Sequence, residues 1–427
     1  MKHFLLHTSS LIILSLLTAC TQSTNTVTSE ERPRIWVLTD MSDPNDRRAG
    51  GHPYNDPDDI VSLAALLLEA NRFDIERIVY SSNQRVGLSD ATTFFNEVFV
   101  AAYEHDQPYL NEAFPGYPET IPFEISSVQQ NGTPIPYDPN SDYTDLSKLP
   151  TVADLVTTAE EGPLYVLIWG PATEAAMAVK HCLTTGKLDA LENITMVAHW
   201  TKSLIAQGTP ERPFHVANCR DDEIACHYLH EEALSNPLVK YVELGSTGQK
   251  GVVNGSDKYP NIDDFSNSRL GQIFRHAKFY HGKPDQSDGA TFWLLVDEFG
   301  PTIDEVANDG TMDQATEEKM RDQFLADSPA LMDDLLTRSN AAAKAGSPFS
   351  PAFIANEFTY VYQFLNGKFY IYAPLPAEYT IKNASGETVL SGTADGNKEL
   401  DFSNLPNGTY PVTVTLGGIT RDFELVK

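Results

Sequence analysis

Three aspartates near the start of the chain are the residues best placed to do chemistry. Asp40 follows the apolar run RIWVLT (residues 34–39), and Asp58-Asp59 precede IVSLAALLLEA, whose apolar residues recur at helical spacing. A carboxylate at a strand's end and a pair at the next helix's start can converge at one edge of a sheet. Several carboxylate oxygens at one point, with no Lys or His ligand near them, suit a hard cation such as calcium or magnesium. The same residues have a plainer reading: Asp58 caps the helix, both aspartates complement its dipole, and the rest is a solvated acidic loop.

The elements that would position these groups follow from hydrophobic periodicity. Residues 34–39 read as a strand and residues 60–70 as a helix, and residues 75–80 form the next strand, ending in Ser81-Ser82-Asn83-Gln84. This is a βαβ unit of a parallel sheet. The rhythm returns with LYVLIW (164–169), where Gly170-Pro171 lead into the helical stretch ATEAAMAVKHCL. Strands are expected again at 194–198 and 239–244, with a helix starting at Asp221. Polar stretches around 105–150 and 245–290 interrupt the pattern, and such insertions usually cover the carboxyl edge of an α/β sheet, where ligands bind. The fold class is α/β with a central, mostly parallel sheet.

On these motifs the chain resembles the inosine–uridine type nucleoside hydrolases, and more closely an exported bacterial branch of nucleoside-hydrolase-like proteins, some described as cellulose-binding. Asp40 and Asp58-Asp59 match the family's opening aspartates, and Ser82-Asn83-Gln84 its sugar-facing corner. Gly170-Pro171-Ala172-Thr173-Glu174-Ala175-Ala176 matches its Gly-Pro turn, Asn218 with Asp222 its Asn-x-x-x-Asp helix start, and Asp288 its late metal-binding aspartate. These elements span roughly residues 33–300, in family order. The resemblance implies a calcium site, calcium being preferred to magnesium. It is formed by Asp40, Asp59, Asp288 and the backbone carbonyl of Trp169, while Asp58, Asn83 and Asn218 hold sugar hydroxyls. Hydrolysis of an N-glycosidic bond passes through an oxocarbenium-like state; the cation would acidify a water beneath the anomeric carbon, and Asp40 would take its proton.

Three departures from the family bear on catalysis. Val216 stands where the enzymes carry a ribose-contacting Glu, and Ser287 where purine-specific members carry a leaving-group His; the loop 41–57 is much expanded. His276 and His281 lie near enough in sequence to replace the missing acid, though a histidine in a polar insertion is more often surface. His199 and Trp200 follow a strand at the ligand edge, where Trp200 can stack on a ring or simply fill the core. Two functions therefore stand side by side. One is a metal-dependent hydrolase of ribosyl-like or other sugar bonds. The other is a weakly catalytic or non-catalytic carbohydrate-binding protein on the same scaffold.

The two ends of the chain differ from this domain. Lys2 and His3 precede an apolar run, Leu11 to Leu17, that ends in Leu17-Thr18-Ala19-Cys20. The run is too short to span a bilayer core of roughly 30 Å as a helix. The ending resembles a bacterial lipobox, which implies lipidation at Cys20 and an exported protein held at the cell envelope by a lipid anchor alone; an ordinary signal peptide with a chance cysteine is the alternative. Past residue 365, short β-like runs separated by turn residues suit a small β-sandwich, whose tyrosines are a carbohydrate platform or, more ordinarily, core. The expected division is thus 1–19 signal, 20–32 tether, 33–365 α/β domain and 366–427 β-sandwich. With 30 basic and 59 acidic residues the net charge is −29, which repels phosphate backbones and makes nucleic acid an unsuitable partner. Sugars, nucleosides or polysaccharide fit better, and the related hydrolases imply self-association. Cys182, Cys219 and Cys226 lack CxxC spacing; they leave room for one bridge, which spacing does not assign.

Overall fold

The computed structural model describes residues 32–41, 58–81, 91–130, 133–256, 259–280, 283–363 and 368–427. Cys20 with the expected lipobox, the loop 42–57, Asn83 and His281 lie outside them. Among the described residues no helix is long and apolar enough to cross a membrane.

The first half of the chain alternates strand and helix: β1 (Arg34–Thr39), α1 (Asp58–Leu68), β2 (Asp74–Tyr80), α2 (Ala91–Phe94), α3 (Ala101–Ala113), β3 (Phe123–Ile125), a ribbon of β4 (Gln129–Gln130) and β5 (Thr133–Pro134), then α4 (Pro150–Glu160) and β6 (Leu164–Ile168). There follow α5 (Thr173–Thr185), α6 (Leu188–Asn193), β7 (Ile194–Ala198), α7 (Ala217–Asp221), α8 (Glu223–Ser235) and β8 (Lys240–Glu243). Six strands form one parallel sheet in the order β3-β2-β1-β6-β7-β8. The chain winds outward from β1 in one direction, then returns to β6 on its other side. That reversal leaves a crevice beyond the carboxyl ends of β1 and β6, the place where open α/β sheets bind ligands.

β1 shows why it is central. Ile35 and Val37 face one apolar cluster and Trp36 and Leu38 the other, so both sides of the strand are buried. An apolar run without polar alternation is the signature of such a strand. On one face pack α4, α5, α6 and α8. On the other lies α1, buried along its whole length, beside α9 (Arg269–His276) and the 29-residue α11 (Gln314–Ala342). Between these two come a ribbon of β9 (Phe279–Tyr280) and β10 (Lys283–Pro284), then α10 (Ala290–Val296). The polar stretch 105–150 expected as insertion is partly helical, because α3 runs to Ala113.

The carboxyl end of α1 is fastened to α11 by buried charge. Arg338 Nε lies 2.7 Å from Glu69 Oε1, Arg72 Nε lies 2.6 Å from Glu69 Oε2, and Arg72 reaches Asp334 at 2.7 Å. Arg338 also donates to Asn71 Oδ1 and Tyr117 Oη, at 2.7 and 2.9 Å. The network holds the helix whose other end carries Asp58 and Asp59.

After α12 (Pro351–Phe358), the chain forms one antiparallel sheet of β11 (Tyr360–Gln363), β12 (Phe369–Lys382), β13 (Thr388–Leu400), β14 (Thr409–Leu416) and β15 (Ile419–Val426). The 14-residue β12 pairs with β11 through Phe369–Tyr372 and with β14 through Glu378–Ile381, while β13 follows it along the other edge. One curled sheet thus encloses the apolar core that a sandwich would place between two sheets. Strand pairing begins at Tyr360, a few residues before the helical pattern was expected to stop. Tyr360, Tyr362 and Tyr372 are buried in a stacked cluster rather than displayed as a platform.

His276 seals the contact with this sheet. Its Nδ1 is 2.9 Å from the Pro374 carbonyl oxygen, its Nε2 is 3.1 Å from Ser266 Oγ, and Tyr372 Oη donates to its carbonyl at 2.6 Å. It is therefore not the substitute acid of the site but a packed joint residue, and burial lowers its pKa to about 4.

Two stability outcomes follow. Arg338→Met would leave Glu69 buried with one cation fewer, and the expected loss is about 3–5 kcal/mol in urea unfolding; a loss under 1 kcal/mol would show the network to be dispensable. For His276 the unfolded chain takes up a proton near pH 6.5 and the folded chain only near 4, so its contribution is full above 6.5 and is lost as pH falls through that window. The expected loss is about 3 kcal/mol. Subtracting the pH–stability curve of His276→Gln from that of the parent isolates this component.

Candidate metal centre

The crevice beyond β1 and β6 is lined from three directions. Asp40 follows β1 directly. Asp58 and Asp59 form the first turn of α1, where the exposed N–H groups and the helix dipole favour negative charge. Asp288 sits in a 3-10 turn, Ser287–Gly289, that opens α10. One oxygen from each of Asp58, Asp59 and Asp288 lies within 4.8 Å of the others, and all three residues are buried.

Asp59 is the hinge of this arrangement. Its Oδ2 accepts from the backbone N–H of Asp40 at 2.8 Å and from Thr39 Oγ1 at 2.5 Å, joining the end of β1 to the start of α1. Its Oδ1 is buried with no hydrogen-bond donor among the described residues. Burial first, then the charges of Asp288, Asp40 and Asp58, raise the Asp59 pKa well above the ordinary carboxylate range. A fully buried carboxylate oxygen without a donor, crowded by like charges, is costly unless a cation balances it. All-oxygen donors at this separation fit a hard divalent ion.

Surrounding bonds fix the other walls. Ser62 Oγ lies 3.5 Å from Asp288 Oδ2, and Thr291 Oγ1 donates to the Asp288 carbonyl at 2.7 Å while accepting from Trp169 Nε1 at 2.8 Å. The Trp169 indole is therefore core support for the Asp288 turn. Asp40, 2 % exposed, lies against Gly170, where an added Cβ would stand 2.8 Å from Asp40 Oδ1. The glycine of the Gly-Pro turn is thus required by the approach of this carboxylate. Asp40 stands outside the triangle of Asp58, Asp59 and Asp288, and Asp58, expected to hold sugar hydroxyls, stands within it.

Asn218 is half-buried on α7 and donates to the carbonyl oxygen of His199 at 2.9 Å, so it orients the end of β7. Asp222 accepts from the N–H of Ala172 at 2.9 Å and from Thr173 Oγ1 at 2.8 and 2.9 Å; it caps α5 from a neighbouring element. Val216 is buried with Cys219 and Cys226, which form the single bridge that spacing left open. Cys182 is free and buried.

Two further residues reach the centre. Lys278 Nζ lies 3.1 Å from Asp58 Oδ1 and 3.4 Å from Asp285 Oδ2. His199 Nε2 lies 3.8 Å from Asp288 Oδ1, which confirms its expected place at the ligand edge. The expectation of a cluster without Lys or His is thereby corrected: both come from segments distant in sequence from α1. Ser287 donates to Asp58 Oδ2 at 3.1 Å. No spacing rule in the polar stretch 277–288 distinguishes Lys278 or Asp285; only the β9–β10 ribbon, with Asp285 N–H donating to the Lys278 carbonyl at 3.2 Å, brings them together.

Comparison with known proteins agrees with the resemblance drawn from the motifs. Residues 34–202 match the family model described as cellulose-binding Sde182, nucleoside hydrolase-like domain. That stretch holds β1 to β7, Asp40, Asp58-Asp59 and the Gly-Pro turn, and stops short of Asn218 and Asp288. A solved structure from Saccharophagus degradans, described as a nucleoside hydrolase-related hypothetical protein associated with carbohydrate metabolism, aligns at 15% identity with a TM-score of 0.48, covering 92% of this chain and 99% of that one. Among curated proteins none matches the chain.

Gly170→Ala tests the packing of Asp40. The added methyl is expected to displace the carboxylate and to lower divalent-cation affinity severalfold while the far-ultraviolet circular dichroism stays unchanged. Unaltered affinity in a folded variant would remove Asp40 from the surroundings of the ion.

Proposed function

We propose that this chain is a divalent-cation-dependent hydrolase of glycosidic bonds, acting on a ribosyl-like or related sugar at the bacterial cell envelope. The observation that carries the reading is the buried convergence of Asp58, Asp59 and Asp288, with Asp59 Oδ1 lacking a donor among the described residues, at the reversal point of the sheet. The likeness of residues 34–202 to a nucleoside hydrolase-like domain supports the choice of reaction.

Asp58, Asp59 and Asp288 would hold the ion, with the Trp169 carbonyl as a further oxygen, and calcium suits an all-oxygen shell. The ion's contribution is to acidify a water and stabilise negative charge. Asp40, a buried carboxylate packed on Gly170, would take the proton of the attacking water. Asn83 and Asn218 orient sugar hydroxyls. Ser287 steadies Asp58 instead of protonating a leaving group, which favours substrates whose leaving group departs without a strong acid.

A second reading has its own support. Lys278 engages Asp58, and the matched family model is that of a cellulose-binding protein. In this reading the centre is a structural ion site and the chain binds polysaccharide without cleaving it.

Calcium titrated into the metal-stripped full chain, followed by assays for base release from nucleosides and reducing-end release from oligosaccharides, separates the two. Binding with turnover supports the hydrolase; binding without turnover, joined to retention on cellulose, supports the second reading. Absence of binding sinks the cation site itself. Asp59→Asn is expected to weaken calcium binding by about tenfold or more, yet to raise the melting temperature of the metal-free protein, since it removes a carboxyl whose ionisation the folded state opposes. Asp59 holds its proton more tightly in the folded chain, so without an ion its stability contribution falls as pH rises above the usual carboxylate range. The stabilisation by calcium is expected to grow over the same rise.

A further inference from the structure

We infer that Lys278 is a tethered counter-cation of the acidic centre, competing with the divalent ion for Asp58 and so setting the affinity of the site. This rests on the cation site proposed above.

Lys278 sits at the foot of the β9–β10 ribbon, and its ammonium reaches two carboxylates, Asp58 Oδ1 at 3.1 Å and Asp285 Oδ2 at 3.4 Å. Asp58 is one corner of the triangle, and its other oxygen accepts from Ser287 Oγ at 3.1 Å. Both Asp58 oxygens therefore already face a donor, whereas Asp59 Oδ1 faces none among the described residues. An ion taking Asp58 as a ligand at about 2.3–2.6 Å must draw that carboxylate toward itself. The ammonium then stands a few ångströms from a second positive charge, in a site where water screens poorly.

Two features allow the lysine to yield. Its side chain is 19% exposed, so solvent lies within reach of the stem's end, while Asp285, 1% exposed, gives the ammonium a partner when Asp58 leaves. Lysine suits this better than arginine would, being a compact charge on a flexible stem rather than a planar fork held by paired bonds. Five aspartates, Asp40, Asp58, Asp59, Asp285 and Asp288, crowd the crevice, and among the described residues Lys278 is a lysine paired with two of them. It offsets part of their repulsion before the ion arrives, and its charge opposes the ion once it comes. The alternative is a fixed brace, in which Lys278 holds Asp58 in the posture the ion needs.

Calcium titration of the full chain with Lys278→Met and Lys278→Gln decides between them. If the lysine competes, both variants bind calcium more tightly, by about tenfold. Calcium binding by the variants where the parent binds none would support the inference equally. If the lysine is a brace, Met weakens binding, and Gln, which keeps a donor toward Asp58, preserves it; either result, or unchanged affinity in both, overturns the inference. Melting curves with and without calcium confirm that each variant folds. Parent binding with no tightening in the variants removes the role of Lys278 alone. Absence of binding in all three proteins removes the cation site with it.

Discussion

The carboxylate of Asp59 is the interaction on which the rest of the centre depends. One oxygen ties the end of β1 to the start of α1 through Thr39 and the Asp40 backbone, and the other is buried among like charges. A protein tolerates that conflict where a ligand resolves it, because an unbalanced charge in a dry site costs several kcal/mol by itself. Everything around Asp59 serves to hold it in that position. Glu69, Arg72 and Arg338 anchor the far end of its helix, and the parallel pairing of β1 with β2 and β6 leaves no freedom to move the strand end.

The supporting residues show how far a scaffold can be reused. Asp222 spends its carboxylate on capping α5, Asn218 its amide on the His199 carbonyl, and the Trp169 indole its N–H on Thr291. Each is a polar group at the crevice whose first partner is the protein itself. Among the described residues, the charges at the crevice are Asp40, Asp58, Asp59, Asp285 and Asp288, with Lys278 and His199 opposing them. Carboxylates outnumber cations in that set, which disfavours an anion.

The appended sheet contributes to the same region indirectly. Tyr372 and Pro374 bind the end of α9 through His276, and Lys278 follows two residues later, just before the β9–β10 ribbon. The β-sheet therefore braces the segment from which Lys278, Asp285, Ser287 and Asp288 all reach the centre. Its buried Tyr360, Tyr362 and Tyr372 belong to the sheet's own packing.

Much of the scaffold was legible in the sequence because its signals are local. Apolar runs of strand length, Asp58-Asp59 before a periodic helix, and Gly170-Pro171 before another each report their own conformation through steric and capping preferences that act over a few residues. Those signals were enough for the parallel α/β core, the strands at 164–169 and 194–198, and the placing of Asp58 and Asp59 at the sheet's carboxyl edge, while Asp288 was singled out only by the family resemblance. Other facts belong to the tertiary structure alone: that Asp58 joins the triangle while Asp40 packs on Gly170, that Cys219 pairs with Cys226, that His276 turns to Pro374, and that Lys278 reaches Asp58. None of these has a periodicity or a neighbour in the chain to announce it. They arise from side chains that meet only in the folded chain, where burial and charge, rather than local backbone preference, choose the partner.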